Sequence, residues 1–232
     1  VVTPGEIVDK YGADTLRTYI LFLGPPEATK DWSEQGIEGA HRFIKRVWRL
    51  VYERYLPALE RGGDPDPVYS RHRAMRSLIH RTIKNVTRDT EEFAFNTALS
   101  FIMELVNGAY LYSAEPGADA DVMKEAVETV LLLLAPYAPF VTEELWSALG
   151  HQGSIHLEPW PGYDPELARP EQITLVVQVN GKVRDKLTVP ADISEEEMRE
   201  MALASERIRN YIAGGEVKKF VVVPGKLVNI VV

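Results

Sequence analysis

The sequence contains no cysteine among its 232 residues. This absence excludes disulfide frameworks, thiolate-held zinc or iron–sulfur centres, and thiol nucleophiles. Long hydrophobic runs are missing too, because those near residues 130–135 and 221–223 fall far short of the roughly 20 residues that span a bilayer. The chain begins Val1-Val2 without an initiator methionine or a secretory signal. We therefore expect part of a longer, cytoplasmic polypeptide with no membrane segment.

The signatures of common catalytic sites are absent as well. Gly181-Lys182 and Gly225-Lys226 lack the earlier glycine and the serine or threonine of a phosphate-binding P-loop, and no GxSxG or HExxH pattern occurs. His151 and His156 fall in an expected loop without a carboxylate at ligand spacing. The sequence thus predicts no catalytic residue, no metal site and no cofactor site in this chain.

Acidic residues outnumber basic ones overall, 34 to 26, but the basic residues are concentrated in one region. The formal net charge is −8, which excludes the uniformly basic composition of a histone-like protein. Residues 39–90 nevertheless carry 12 basic and 5 acidic residues, so this region is +7 and the remainder is −15. A nucleic-acid site in this protein must be a local patch.

Two expected helices in that region carry a basic face. Residues three and four apart share one face of a helix, and the two sets with this spacing are Arg42, Lys45, Arg46, Arg49 and Arg73, Arg76, Arg81, Lys84. A solvated helix face is an equally good interpretation of either set alone. The dominance of arginine in both favours phosphate binding, because a guanidinium fork matches phosphate oxygens.

A third, weaker basic pattern lies near the end of the chain. Lys182, Arg184 and Lys186 alternate after the turn Asn180-Gly181, which predicts that all three project from one face of a hairpin strand. The alternative is an edge strand that lysines protect from aggregation.

The hydrophobic pattern predicts a mostly α protein: a helical bundle followed by a small α+β domain. As far as about residue 149, apolar residues recur at intervals of three and four positions, which is typical of helices packed in a bundle. One long helix is expected over 33–56, with Trp48 on its inward-facing apolar stripe. The first helix is expected to be capped by Thr3 together with Glu6, and the second by Asp14. A loop is expected at residues 62–67. After the proline-rich stretch 151–170 the period changes to two, in the order ββααββ.

Specific motifs then give a family resemblance over essentially the whole chain. The segment 1–17, ending Tyr11-Gly12-Ala13-Asp14-Thr15-Leu16-Arg17, resembles the stretch after the KMSKS loop of class I aminoacyl-tRNA synthetases. Later motifs resemble the bacterial leucyl-tRNA synthetases in particular. These are Asp31-Trp32-Ser33, Gly36 to Phe43, Arg46-Val47-Trp48-Arg49, Asn96-Thr97-Ala98, Leu134 to Phe140, Glu143 to Trp146, Gly153 to His156 and Val177 to Arg184.

The resemblance implies four parts and a positional role. The parts are a stem-contact segment (1–32), a helical-bundle anticodon-binding domain (33–158), a linker (159–170) and a small tRNA-binding α+β domain (171–232). The implied partner is the leucine tRNA, tRNA(Leu), held at the three basic patterns above. Catalytic and editing domains would lie upstream in the same chain and use ATP and Mg, so the fragment alone is expected to be inactive. The alternatives are the same region of a valyl- or isoleucyl-tRNA synthetase, or a helical protein-interaction module.

Overall fold

The computed structural model describes residues 2–24, 31–61, 69–169, 172–191, 193–212, 215 and 217–232, without the side chains of 60–61, 69–71 and 172. The chain divides into two compact units, residues 1–168 and 169–232. The loop expected at 62–67 lies outside the described residues. None of the helices in the described part of the chain is long and apolar enough to cross a bilayer.

The first unit is built from helices, which confirms the predicted bundle. A π-helical turn, Leu50–Tyr55, links the third and fourth helices, and a short 3₁₀ turn, Ile155–Leu157, follows the last one. The helices are α1 (Pro4–Tyr11), α2 (Ala13–Phe22), α3 (Glu34–Arg49), α4 (Leu56–Arg61), α5 (Tyr69–Glu91), α6 (Phe95–Ser113), α7 (Ala120–Leu134) and α8 (Pro139–Ala148).

The main core lies where α5, α6 and α7 pack against α3, the π-helical turn and α8. α6 and α7 supply fully buried side chains such as Leu99, Ile102, Leu105, Leu131 and Leu134. Burying an aliphatic side chain of this size contributes about 1.5–3 kcal/mol relative to exposure. The bundle is therefore held mainly by apolar contact, and most of its charged residues stay on the outside.

The long helix contains a π-helical turn, and the tryptophan just before that turn faces outward. The hydrogen bond of this turn from Leu56 N–H to the Val51 carbonyl spans five residues instead of four. Phe43 and Leu50 are buried, whereas Trp48 has 38% of its surface exposed. The prediction that Trp48 lies on the inner stripe is wrong, because the buried stripe of α3 runs through Ile37, Ala40, Phe43 and Val47 and leaves Trp48 at its exposed edge.

Two predicted helix caps differ from the structure. Thr3 occupies the N-cap of α1, but its side chain makes no cap hydrogen bond. Asp14 lies inside α2, where its nearly buried carboxylate accepts hydrogen bonds from the backbone N–H groups of Phe140 and Val141, at 3.3 and 2.6 Å. These are first-turn amides of α8, so Asp14 caps a helix more than 120 residues away in sequence.

Replacing Asp14 by alanine is expected to lower the free energy of unfolding by about 2 kcal/mol, because two N–H groups at the start of α8 lose their acceptor. Urea denaturation of the chain measures this change. Asp14→Asn, which keeps one of the two oxygen acceptors, should lose about half as much. An Asp14→Ala variant as stable as the parent would contradict the capping role.

The proline-rich segment expected as a linker over 159–170 is fastened to the first unit for most of its length. The Trp160 Nε1–H group donates to the Thr87 hydroxyl at 2.8 Å, and the Asp164 N–H group donates to His80 Nδ1 at 3.0 Å. Ala168 is buried. The segment therefore runs along α5 as part of the first unit up to Ala168, where that unit ends.

The second unit has the predicted order ββααββ, which is confirmed. Its elements are β1 (Gln172–Val179), β2 (Lys182–Pro190), α9 (Glu195–Ala204), α10 (Glu206–Ile212), β3 (Lys219–Val223) and β4 (Leu227–Val231). The sheet order is β2-β1-β4-β3, with β1 and β4 parallel and the other pairs antiparallel. α9 and α10 pack through Met198 and Ile208 against the face that carries Val177 and Ile230.

Candidate nucleic-acid interface

α3 presents the first predicted basic face and is anchored firmly against α2. Ser33 caps α3 by accepting a hydrogen bond from Gly36 N–H at 3.1 Å. The Ser33 N–H group in turn donates to the Tyr19 hydroxyl at 2.8 Å. A Cβ atom at Gly36 would lie only 2.7 Å from Cε2 of Tyr19, so glycine at this position lets the two helices approach closely. The start of the basic face is thereby fixed in position.

Three of the four predicted α3 residues line one cleft of about 710 Å³, between α2, α3 and α6. Its floor and walls include the apolar side chains of Phe22, Phe43 and Met103. Its polar lining residues include Asn107 and the three arginines Arg42, Arg46 and Arg49. The fourth residue, Lys45, is exposed on the same helix but is not part of the cleft lining.

The cleft arginines are held by aromatic and backbone contacts more than by acids. The Arg46 guanidinium lies 4.9 Å from the centroid of the Tyr110 ring, and the Tyr110 hydroxyl donates to the Arg46 carbonyl at 2.9 Å. Burial raises the pKa of Tyr110, which keeps this hydroxyl protonated and able to donate. The Arg49 Nε–H group donates to the Lys45 carbonyl at 3.4 Å.

Carboxylates are sparse around this face. Arg42 lies 3.9 Å from Glu38, and both side chains are more than half exposed, so this pair contributes little. Within the described residues, no carboxylate lies within 4 Å of the charged groups of Lys45, Arg46 or Arg49. The guanidinium donors of Arg46 and Arg49 are thus available to an external anion.

The second predicted basic face, on α5, has acidic neighbours at two of its four side chains. Arg76 turns towards α7, where its Nε lies 3.3 Å from Glu125, and Arg81 turns towards α6, 3.9 Å from Glu104. Arg73 and Lys84 are exposed. Packing against α6 and α7 thus places acids beside two of these four side chains, and the role of the four in RNA binding stays a prediction.

The third pattern does not form one face. β1 and β2 shift register between Val177 and Gln178, so that Val177 pairs with Asp185, Gln178 pairs with Val183, and Arg184 is bulged out. Lys182 pairs with Val179 and Lys186 with Val176, which lie on opposite faces of the sheet. The Arg184 guanidinium stacks 4.2 Å from the Tyr211 ring centroid.

Sequence reasoning missed the exposed aromatic side chain of Tyr52. Its ring stacks on that of Trp48 at 4.9 Å between centroids, beside the basic face. The spacing of four residues between Trp48 and Tyr52 was the available signal. The two histidines that the sequence analysis rejected as metal ligands make other contacts. The ring of His151 stacks on Trp146, and its Nε2 atom lies 2.9 Å from Oε1 of Glu128. The Nε2 atom of His156 lies 3.2 Å from the Pro139 carbonyl oxygen. In the part of the chain that is described, no group of three or more His, Asp or Glu side chains could hold a metal ion.

Comparisons with known proteins agree with this architecture. The family profile "Anticodon-binding domain of tRNA ligase" matches residues 72–199. Leucine–tRNA ligases from a Geobacter species and from Citrifermentans bemidjiense are 49% and 48% identical over the full chain. The chain spans 28% of the length of each of these relatives.

Two solved structures extend the comparison. An Agrobacterium radiobacter LeuRS, in a ternary complex with tRNA and LeuAMS, is 30% identical with a TM-score of 0.83, covering 100% of this chain and 30% of that one. The free form of Mycobacterium tuberculosis methionyl-tRNA synthetase has a TM-score of 0.52 at 17% identity, covering 71% of this chain and 42% of that one. The second likeness concerns the fold alone.

Proposed function

The chain belongs to the family of anticodon-binding domains of tRNA ligases, and from that membership we propose that it is the tRNA-binding part of a leucine–tRNA ligase. Identity of 49% over the whole of this chain to a relative of that name favours leucine over the valine and isoleucine alternatives. The solved LeuRS complex, which contains tRNA, supports an RNA partner. An interaction module for acidic proteins has no comparable support.

The observation that carries the proposal is the α3 cleft. Arg46 and Arg49 line a shared cleft and have no carboxylate within 4 Å among the described residues. Double-stranded RNA hides its base edges in a narrow major groove and is held through phosphates and 2′-hydroxyls. Arginine forks on one rigid helix suit such backbone contacts. The overall acidic charge does not oppose this, because the screening length at 0.15 M salt is about 8 Å.

The proposed contribution to the reaction is orientation. Holding a tRNA body in one pose directs its 3′ end to a distant active site, and such positioning lowers the entropic cost of reaction. ATP and Mg belong, in this proposal, to the part of the longer relatives that this chain does not span. We place the activity in the cytoplasm. No residue of this chain makes or breaks a covalent bond in the proposal.

Binding of leucine tRNA by the chain is expected to weaken steeply with salt, because each neutralised phosphate releases counterions and contributes about −0.9 to the slope of log affinity against log salt in duplex regions. Three phosphate contacts would give a slope near −2.7, or about 40-fold between 50 and 200 mM salt. Filter binding at several salt concentrations measures the slope.

Purified valine and isoleucine tRNAs serve as comparison ligands in the same assay. Weaker binding of both than of leucine tRNA would support the leucine assignment. Binding that is independent of salt, or no binding at 50 mM salt, would overturn the proposed function.

A further inference from the structure

A stacked pair of aromatic rings lies exposed on α3 and the π-helical turn. Trp48 and Tyr52 have ring centroids 4.9 Å apart with an interplanar angle of 25°. Their exposed fractions are 38% and 39%. Aromatic side chains usually bury a large apolar area, so two of them stacked against each other on the outside of a helix need an explanation.

Positive charge flanks this pair on the same helix surface. Lys45 lies three residues before Trp48, and Arg49 lies three residues before Tyr52, a spacing that brings side chains together on a helix. The side chains of Lys45 and Arg49 are exposed and, within the described residues, have no carboxylate within 4 Å. Arg49 also lines the α3 cleft, so the aromatic pair and the cleft are neighbours.

The local backbone is unusual where the pair forms. Tyr52 belongs to the π-helical turn Leu50–Tyr55, whereas Trp48 lies in the last regular turn of α3. Such turns are uncommon and occur frequently at functional sites. The turn buries Leu50, Val51 and Tyr55 while leaving Tyr52 outside. The fold thus keeps both rings at the surface and fixes them against each other.

We propose that Trp48 and Tyr52 form a stacking platform for an unpaired nucleobase of the bound RNA, with Lys45 and Arg49 holding the adjacent phosphates. This inference rests on the proposed function and adds a second kind of contact to it. Every nucleobase has a π face, so stacking accepts any base, and cations beside the rings match the phosphates on either side of an unstacked nucleotide. An acidic protein surface would match the cations by charge, whereas an unpaired nucleotide offers a flat base to the rings and phosphates to the cations.

The test compares two RNA probes: a leucine tRNA transcript, which contains unpaired nucleotides, and a fully paired RNA duplex. Trp48→Leu and Tyr52→Leu each remove a ring and keep an apolar side chain. Each variant is expected to weaken tRNA binding about tenfold, because base–aromatic stacking is worth roughly 1–3 kcal/mol per base. Their affinity for the duplex should not change. Trp48→Phe, which keeps a ring, should restore most of the tRNA affinity.

Fluorescence gives a second readout of stacking. Titration with the tRNA should quench tryptophan emission in the parent chain more than in Trp48→Leu. Phe140→Leu is the matched control, because Phe140 is an aromatic residue with 69% exposure on α8; it should bind the tRNA like the parent chain.

The outcomes separate this inference from the proposed function. Equal tRNA affinity and equal quenching in the parent, Trp48→Leu and Tyr52→Leu chains would overturn the stacking platform, while salt-dependent tRNA binding would leave the proposed function standing. Equal losses for tRNA and duplex would also overturn it, since the rings would then not distinguish unpaired bases. A parent chain that binds neither RNA contradicts both.

Discussion

Replacing Arg46 and Arg49 together by glutamine is expected to weaken binding of leucine tRNA about 100-fold near 0.1 M salt, since a hydrogen bond to a charged group contributes about 1.5–3 kcal/mol. The slope of log affinity against log salt should become shallower by about two, one unit for each lost phosphate contact. Both quantities come from one set of binding curves at several salt concentrations. In a full-length leucine–tRNA ligase, substitutions at the equivalent positions should lower the rate of leucine attachment to tRNA when the tRNA concentration is limiting.

The α5 arginines provide a matched control for this experiment. Arg76→Gln with Arg81→Gln removes the same charge from the same region, but both side chains already contact acids, Glu125 and Glu104. We expect a loss of less than fivefold, because each of these guanidinium groups already has a carboxylate beside it, which a phosphate would have to displace. Equal losses for the α3 and α5 pairs would contradict the special role of the α3 cleft.

The stability of the bundle is expected to fall at alkaline pH through the ionisation of Tyr55. Burial, with smaller contributions from Glu128 and Asp121, raises the pKa of Tyr55 from 10.0 to about 12. A raised pKa means that the folded state favours the protonated phenol, so this stability is complete below pH 10 and is lost as the pH rises through 12. The loss from this residue should be about 1.4 kcal/mol at pH 11 and approach about 2.7 kcal/mol well above pH 12.

Urea denaturation of the parent chain and Tyr55→Phe at pH 8 and pH 11 tests this expectation. Phenylalanine fills nearly the same volume and cannot ionise, so the variant should lose about 1.4 kcal/mol less than the parent between the two pH values. At pH 8 the two chains should differ little. Parallel losses in both chains would show that Tyr55 does not contribute to the alkaline instability.

Local spacing was enough to predict the helices and one basic face. The bounds of α7, 120–134, and the order ββααββ follow from hydrophobic period and turn residues, which are properties of short segments. The α3 arginines lie together because residues three and four apart on one helix must do so. Such features depend on neighbours in sequence, and a single sequence contains that information.

Features that depend on neighbours in space could not be predicted in the same way. Arg76 and Arg81 have helical spacing like that of α3, but the acids that pair them belong to α7 and α6. The cleft beside Arg46 has walls from α2 and α6. The bulge at Arg184 interrupts an alternation that looks regular in the sequence. Asp14 resembles a local helix cap and instead caps α8. In each case tertiary packing selects the partner.

The π-helical turn at Leu50–Tyr55 also makes the long rod of α3 and α4 tolerant to a change of length. A turn closed by five-residue hydrogen bonds holds one residue more than an α-helical turn. Deleting one outward-facing residue there, Glu53 or Arg54, would leave an ordinary helix whose two flanks keep their original orientation towards the core. The same deletion in the middle of α6 would rotate one half of that helix by about 100° and expose its apolar face. Homologous chains that differ by a single residue in this rod are therefore expected to carry the gap at this turn.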